Sequence, residues 1–199
     1  EWCDAILHAW YPGAEGGRAV AQVLFGQAEP GGRLPVTVPR ATSDLPAFEN
    51  YAMAGRTYRF ATTPPLFPFG YGLGYTTWAL ADGQIDRAAR GEPTACRVLV
   101  RNAGARAGRT IVQCYRVPPP GAAGPQLSLV DFAPVALGAG ESSVIEIPLP
   151  PATWMLHDDS GSLHRVPGRW EIVTALAAPT ERARELGVPD PQRLPVTIA

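Results

Sequence analysis

A chain of 199 residues, 46% hydrophobic and 18% charged, has the length and apolar content for a real core, in one large domain or two small ones. Its net charge of −1, without any basic cluster, argues against nucleic acid or an anionic membrane as partner, and no apolar run is long enough to span a bilayer. Cys3, Cys96 and Cys114 form neither a disulfide framework nor a metal-ligand spacing, so no metal and no cofactor is expected.

Ala5 to Tyr11 is a nearly continuous apolar run, the pattern of a strand buried on both faces of a parallel sheet. Pro12 to Gly17 reads as a turn. Arg18 to Phe25 then sets apolar residues at helical spacing, with Gly26 as the stop. Residues 4–26 are thus read as strand, turn and helix, an α/β fragment. From there to about Tyr75 periodicity is nearly lost, apart from a short edge-like strand bounded by prolines within Gly31–Pro39. A loop this long is uncommon in a compact domain, and here it is expected to wrap over a larger body outside the chain. The start at Glu1, just ahead of an apolar run, suggests a piece of a longer protein.

From about Thr77 the texture changes. Thr94 to Arg101 alternates, with Arg97 and Arg101 on one face and Cys96, Val98 and Val100 on the other. Thr110 to Val117 follows, Val112 and Cys114 matching the inward face. Further strands are predicted at Leu127–Phe132, Ser143–Leu149, Trp170–Ala177 and Leu194–Ala199, with a brief helix-compatible insert at Thr180–Leu186. Short strands at this spacing predict an all-β sandwich. Cys96 and Cys114 are expected to be neighbours on a hairpin. Two free core thiols are favoured over a disulfide, because cross-strand geometry often fails the disulfide limits.

Few residues invite a chemical reading. The turn Pro12-Gly13-Ala14-Glu15-Gly16-Gly17 lacks the Lys-Ser/Thr of a phosphate loop, and Glu15 itself would satisfy the positive end of the helix dipole. His8, His157 and His164 share no ligand or triad spacing, and no serine sits in a nucleophile elbow. The densest segment is Leu66 to Trp78, with five aromatic residues, three glycines and one proline in thirteen positions. It is predicted to press its rings against another body while the glycines let the backbone come close. At ~150–250 Å² per ring, that reads as structural cement rather than a ligand platform.

Several motifs occur in order along nearly the whole chain. Trp10-Tyr11-Pro12-Gly13-Ala14-Glu15-Gly16-Gly17, Val23-Leu24-Phe25-Gly26 and Pro30-Gly31-Gly32-Arg33-Leu34-Pro35 are followed by Asp44-Leu45-Pro46 and Gly55-Arg56-Thr57-Tyr58-Arg59-Phe60. Then come Pro65-Leu66-Phe67-Pro68-Phe69-Gly70-Tyr71-Gly72, Asn102-Ala103-Gly104, Val112-Gln113-Cys114-Tyr115 and Leu137-Gly138-Ala139-Gly140-Glu141. This series resembles the C-terminal part of glycoside hydrolase family 3. Gly55 to Phe60 leans toward its β-glucosidase and β-xylosidase members. Gly74 stands where serine is usual in the family and Trp78 where phenylalanine is.

The resemblance implies an α/β fragment, the end of an α/β-sandwich domain plus a wrapping linker at residues 1–75, followed by a fibronectin type III-like β-sandwich at 76–199. It implies a retaining glycosidase, with an aspartate nucleophile and a glutamate acid/base ~5–5.5 Å apart, acting on terminal β-glucosides or β-xylosides. In the family the aspartate lies on an N-terminal barrel and the glutamate upstream of the Trp-Tyr-Pro-Gly motif. Glu15, Asp44 and Glu49 match neither position, so no catalytic residue is expected here. The expected partners are the barrel and the remainder of the α/β domain of the same protein, together with the carbohydrate substrate. Arg56, Tyr58 and Arg59 are the candidate substrate-binding residues, on a loop from which polar groups could reach a pocket rim; a structural ion-pair role fits them equally. The competing readings are a non-catalytic β-sandwich module that binds carbohydrate or protein, and one subunit of a split enzyme.

Overall fold

The computed structural model describes residues 3–158 and 160–199. Helices are few: α1 (Gly16–Leu24), α2 (Thr57–Phe60) and α3 (Glu181–Glu185). The strands are β1 (Trp78–Arg87), β2 (Pro93–Asn102), β3 (Gly108–Val117), β4 (Ser128–Leu137) and β5 (Ser142–Pro148), then β6 (Met155–His157), β7 (Leu163–Arg165), β8 (Gly168–Ala175) and β9 (Gln192–Ile198). They form a three-stranded sheet, β1-β2-β5, a four-stranded sheet, β4-β3-β8-β9, and a small β6-β7 hairpin. All pairings among the named strands are antiparallel.

Alternation dictates the core. In β2, Cys96, Val98 and Val100 are wholly buried while Arg97 and Arg101 stay in solvent. Across the gap they meet Val112 and Cys114 of β3 and Trp170 and Ile172 of β8. Trp154 meets Trp170 edge-to-face at 5.8 Å, and Trp170 Nε1 donates to Val166 O. Arg116 sits over Trp170 while its Nη1 donates to the carbonyls of Ala152, Thr153 and Met155. Burial pushes this guanidinium below its usual range, and Arg59 acts in the same direction.

The two cysteines are inward-facing, but the expected hairpin does not exist. β2 pairs with β1 and β5, whereas β3 pairs with β4 and β8, so Cys96 and Cys114 face each other from opposite sheets. Periodicity fixes which face a residue takes, not which sheet its strand joins. The five residues from Ala103 to Ala107 form an arch between sheets.

Asn102 anchors that arch. It is wholly buried, its Nδ2 donating to Arg106 O (2.7 Å) and Leu137 O (3.2 Å). Its Oδ1 accepts from Thr76 Oγ1 (2.5 Å) and from the Gly104 N–H (3.1 Å). One amide therefore ties the entry to β1, the arch and the end of β4 together.

β3 and β8 are buried on both faces. Their outward residues Tyr115, Val173 and Ala175 are covered by Tyr58 and Phe69 from the preceding segment. Beside them, Tyr71 packs with Ala177 and Ala183 of the α3 region, where the Thr180 side chain caps the helix by accepting the Ala183 N–H. Residues 57–71 thus run as a strap across the outer face of the four-stranded sheet.

Ahead of the strap, α1 and its Gly26 stop, at φ 68°, follow the sequence reading. The strand expected at Ala5–Tyr11 is not formed: these residues are exposed and pair with no strand. A strand apolar on both faces needs sheet neighbours and covering helices, and the described residues supply neither. The edge-like segment at Pro35–Pro39 makes a single bridge, Val38 to Phe67.

Candidate functional site

Gly55 and Thr57 both take positive φ, 74° and 57°, around Arg56. For Thr57, a β-branched residue, this conformation costs on the order of 1–3 kcal/mol and persists only where the surroundings enforce it. Arg56 is part of that enforcement: its Nε donates to Ala52 O (3.0 Å) and its Nη2 to Asn50 O. The Asn50 side chain closes the loop by accepting the Ala52 N–H. The turn delivers α2 to the sandwich.

Tyr58 and Arg59 leave α2 in different roles. The Tyr58 ring stacks on Phe69 at 4.5 Å and meets Tyr115 edge-on at 5.7 Å, and its hydroxyl accepts the Leu129 N–H. Arg59 lies over the Phe60 ring, its carbonyl takes the Gln126 N–H, and its buried Nε has no hydrogen-bond partner. All three candidate residues line one groove of about 510 Å³, together with Thr37, Leu45 and Met53. Thr37 Oγ1 is a second buried polar atom there without a partner. Orphaned donors beside apolar walls suit an occupant that brings its own acceptors.

The aromatic segment behind the groove is held by residues that carried no role in the sequence reading. Gln113, buried on the outer face of β3, donates from Nε2 to Gly70 O (3.3 Å) and Leu176 O (3.0 Å) and accepts the Tyr115 hydroxyl at 2.5 Å. Burial holds that hydroxyl protonated well beyond the usual tyrosine range. Arg33 Nη2 reaches Thr110 Oγ1 at 3.0 Å, and burial lowers this guanidinium against the opposing pull of Glu29. Glu29 in turn accepts the Tyr75 N–H, and the Tyr75 hydroxyl donates to Val23 O at the end of α1. The signal for Gln113 was its polarity inside an otherwise apolar run.

Of the acidic residues Glu15, Asp44 and Glu49, Asp44 lines the groove and the other two do not. Glu15 makes an exposed ion pair with Arg18, and Asp44 accepts the Ala41 N–H in a surface turn. His8 meets Trp10 edge-on at 4.3 Å, whereas His157 and His164 lie on the β6-β7 hairpin.

Residues 1–75 match the glycosyl hydrolase family 3 C-terminal domain, and residues 110–175 match the fibronectin type III-like domain. The chain is 39% identical over 174 residues to a xylan 1,4-beta-xylosidase of Xylanibacter ruminicola, covering 87% of this chain and 20% of that protein. The chain belongs to glycoside hydrolase family 3. It is also 39% identical over 163 residues to a probable beta-glucosidase I of Emericella nidulans, covering 72% of this chain and 19% of that protein. Among solved family 3 structures, a beta-glucosidase involved in saponin metabolism from intestinal bacteria superimposes with a TM-score of 0.77 at 31% identity. That match covers 94% of this chain and 25% of the other. The chain spans about a fifth of the length of these curated family 3 relatives and corresponds to a C-terminal piece of them.

Proposed function

We propose that this chain is the C-terminal scaffold of a retaining β-glycosidase that removes terminal β-glucosyl or β-xylosyl units. The carrying observation is where its apolar surface lies. Trp10, Tyr11, Phe25, Phe48 and Tyr51 are all more than half exposed, and Tyr11 is 100% exposed. From Trp78 onward, by contrast, the exposed large hydrophobics among the described residues are Phe132, Val144 and Leu163. So uneven a distribution fits a sandwich complete in itself and a preceding segment that rests on more protein.

In this reading, residues 1–75 are the closing unit and wrapping tail of an α/β-sandwich domain, and 76–199 are a fibronectin type III-like domain. The barrel and the rest of the α/β domain cover the apolar face and supply both carboxylates. Purified as it stands, the chain should therefore release no nitrophenol from aryl β-glucosides or β-xylosides. Turnover that vanishes on Glu15→Gln would place an acid of the mechanism within this chain and overturn the reading.

Arg56, Tyr58 and Arg59 would then contribute the rim of the substrate approach, with the arginines toward sugar hydroxyls and Tyr58 as their support. In the full-length protein, Arg59→Ala should raise KM about tenfold with kcat nearly constant, as expected for lost uniform binding. A fall in melting temperature with unchanged KM would make Arg59 a structural residue instead.

A further inference from the structure

β2 and β3 follow one another in sequence yet run in facing sheets, so their inward side chains meet in one core. Cys96 and Cys114 occupy that meeting place. Both are wholly buried in the same core cluster, and both are free thiols. Two-sheet sandwiches of this kind accept a covalent link across their core. The objection to a disulfide drawn from cross-strand geometry does not apply, because the residues are not cross-strand neighbours.

We propose that Cys96 and Cys114 form a disulfide that staples the two sheets when the chain folds in the presence of a disulfide oxidant. One thiolate attacks the oxidant disulfide, giving a mixed disulfide and releasing one thiol. The second cysteine then displaces the remaining half. Two S–H bonds are lost and one S–S bond is gained. The two electrons and the two protons end on the oxidant, as two thiols. Full burial sets the timing: the oxidant reaches the sulfurs before the sandwich closes, and the finished bond is then shielded from reductant. Cys3, exposed and outside the core, remains a thiol.

The test is to refold the full chain in a reduced and oxidised glutathione mixture, alkylate free thiols and digest with trypsin. The expected result is that peptides 91–97 and 110–116 emerge joined and Cys3 emerges alkylated. The oxidised protein should melt about 6–12 °C above the reduced one, from closing a short loop in the unfolded chain. Recovery of Cys96 and Cys114 both alkylated, or linked to Cys3, would overturn the proposal. So would an oxidised form that melts no higher than the reduced form.

Discussion

Asn102→Ala is expected to destabilise the protein by about 3–5 kcal/mol, because four partners lose a buried hydrogen bond at once. At ~2–4 °C per kcal/mol for a chain of this size, the melting temperature should fall by about 6–20 °C. The Arg106 and Leu137 carbonyls and the Gly104 N–H are backbone groups, and alanine can pair with none of them. Thr76→Val should cost less, about 1–2 kcal/mol, since it removes one partner and leaves three. A double-mutant cycle in urea should show strong non-additivity between the two sites. A loss below about 1 kcal/mol for Asn102→Ala would mean that the arch is held by its backbone alone.

Gly70→Ala should loosen the strap while sparing the sandwich interior. Gly70 has φ 75°, and a Cβ there would lie 2.1 Å from Gln113 Oε1. Gln113 cannot withdraw without giving up its bonds to Gly70, Leu176 and Tyr115. The left-handed backbone adds ~1–2 kcal/mol and the broken buried bonds ~1–3 kcal/mol, about 2–5 kcal/mol together. Amide exchange should accelerate at Gly70 and Ala178, whose N–H groups bond to Leu34 O and Phe69 O, while the β2 amides stay protected. Gly74→Ala is the contrast. Its Cβ would meet only the end of the Glu29 carboxylate, at 2.1 Å, and its φ is not positive, so about 1 kcal/mol is expected. Equal effects at the two glycines would refute the special role given to Gln113.

The legible parts of the fold were those with clean alternation. β2, β3, β5, β8 and β9 lie where period-two patterns placed them, and α3 lies where a short charged insert was read. β1 was not read, and its register explains why. A shift between Ala81 and Gln84, with Asp82 at φ 50°, breaks the alternation that would have announced the strand. β6 and β7, three residues each, are too short to show any period. Sheet membership was illegible for a different reason: a five-residue connection serves an arch as well as a hairpin. At the candidate site, Gly55 to Phe60 stood out by motif, and Gly55 to Arg59 line one groove. That Tyr58 turns its ring onto Tyr115 depends on partners far along the chain, which local pattern does not encode.

The strap has a consequence for synthesis. Leu66 accepts from Arg182, 116 residues later, and Phe69 accepts from Ala178. During translation at ~5–20 residues per second, the strap therefore leaves the ribosome about 6–23 s before its last partners do. For that interval Tyr58, Phe67, Phe69 and Tyr71 have no sheet to lie on, and any earlier-made part of the polypeptide offers them a competing landing place. A ribosome stalled just after Leu127 should thus carry a nascent chain that protease cuts near residue 60, and one stalled beyond Ala199 should not.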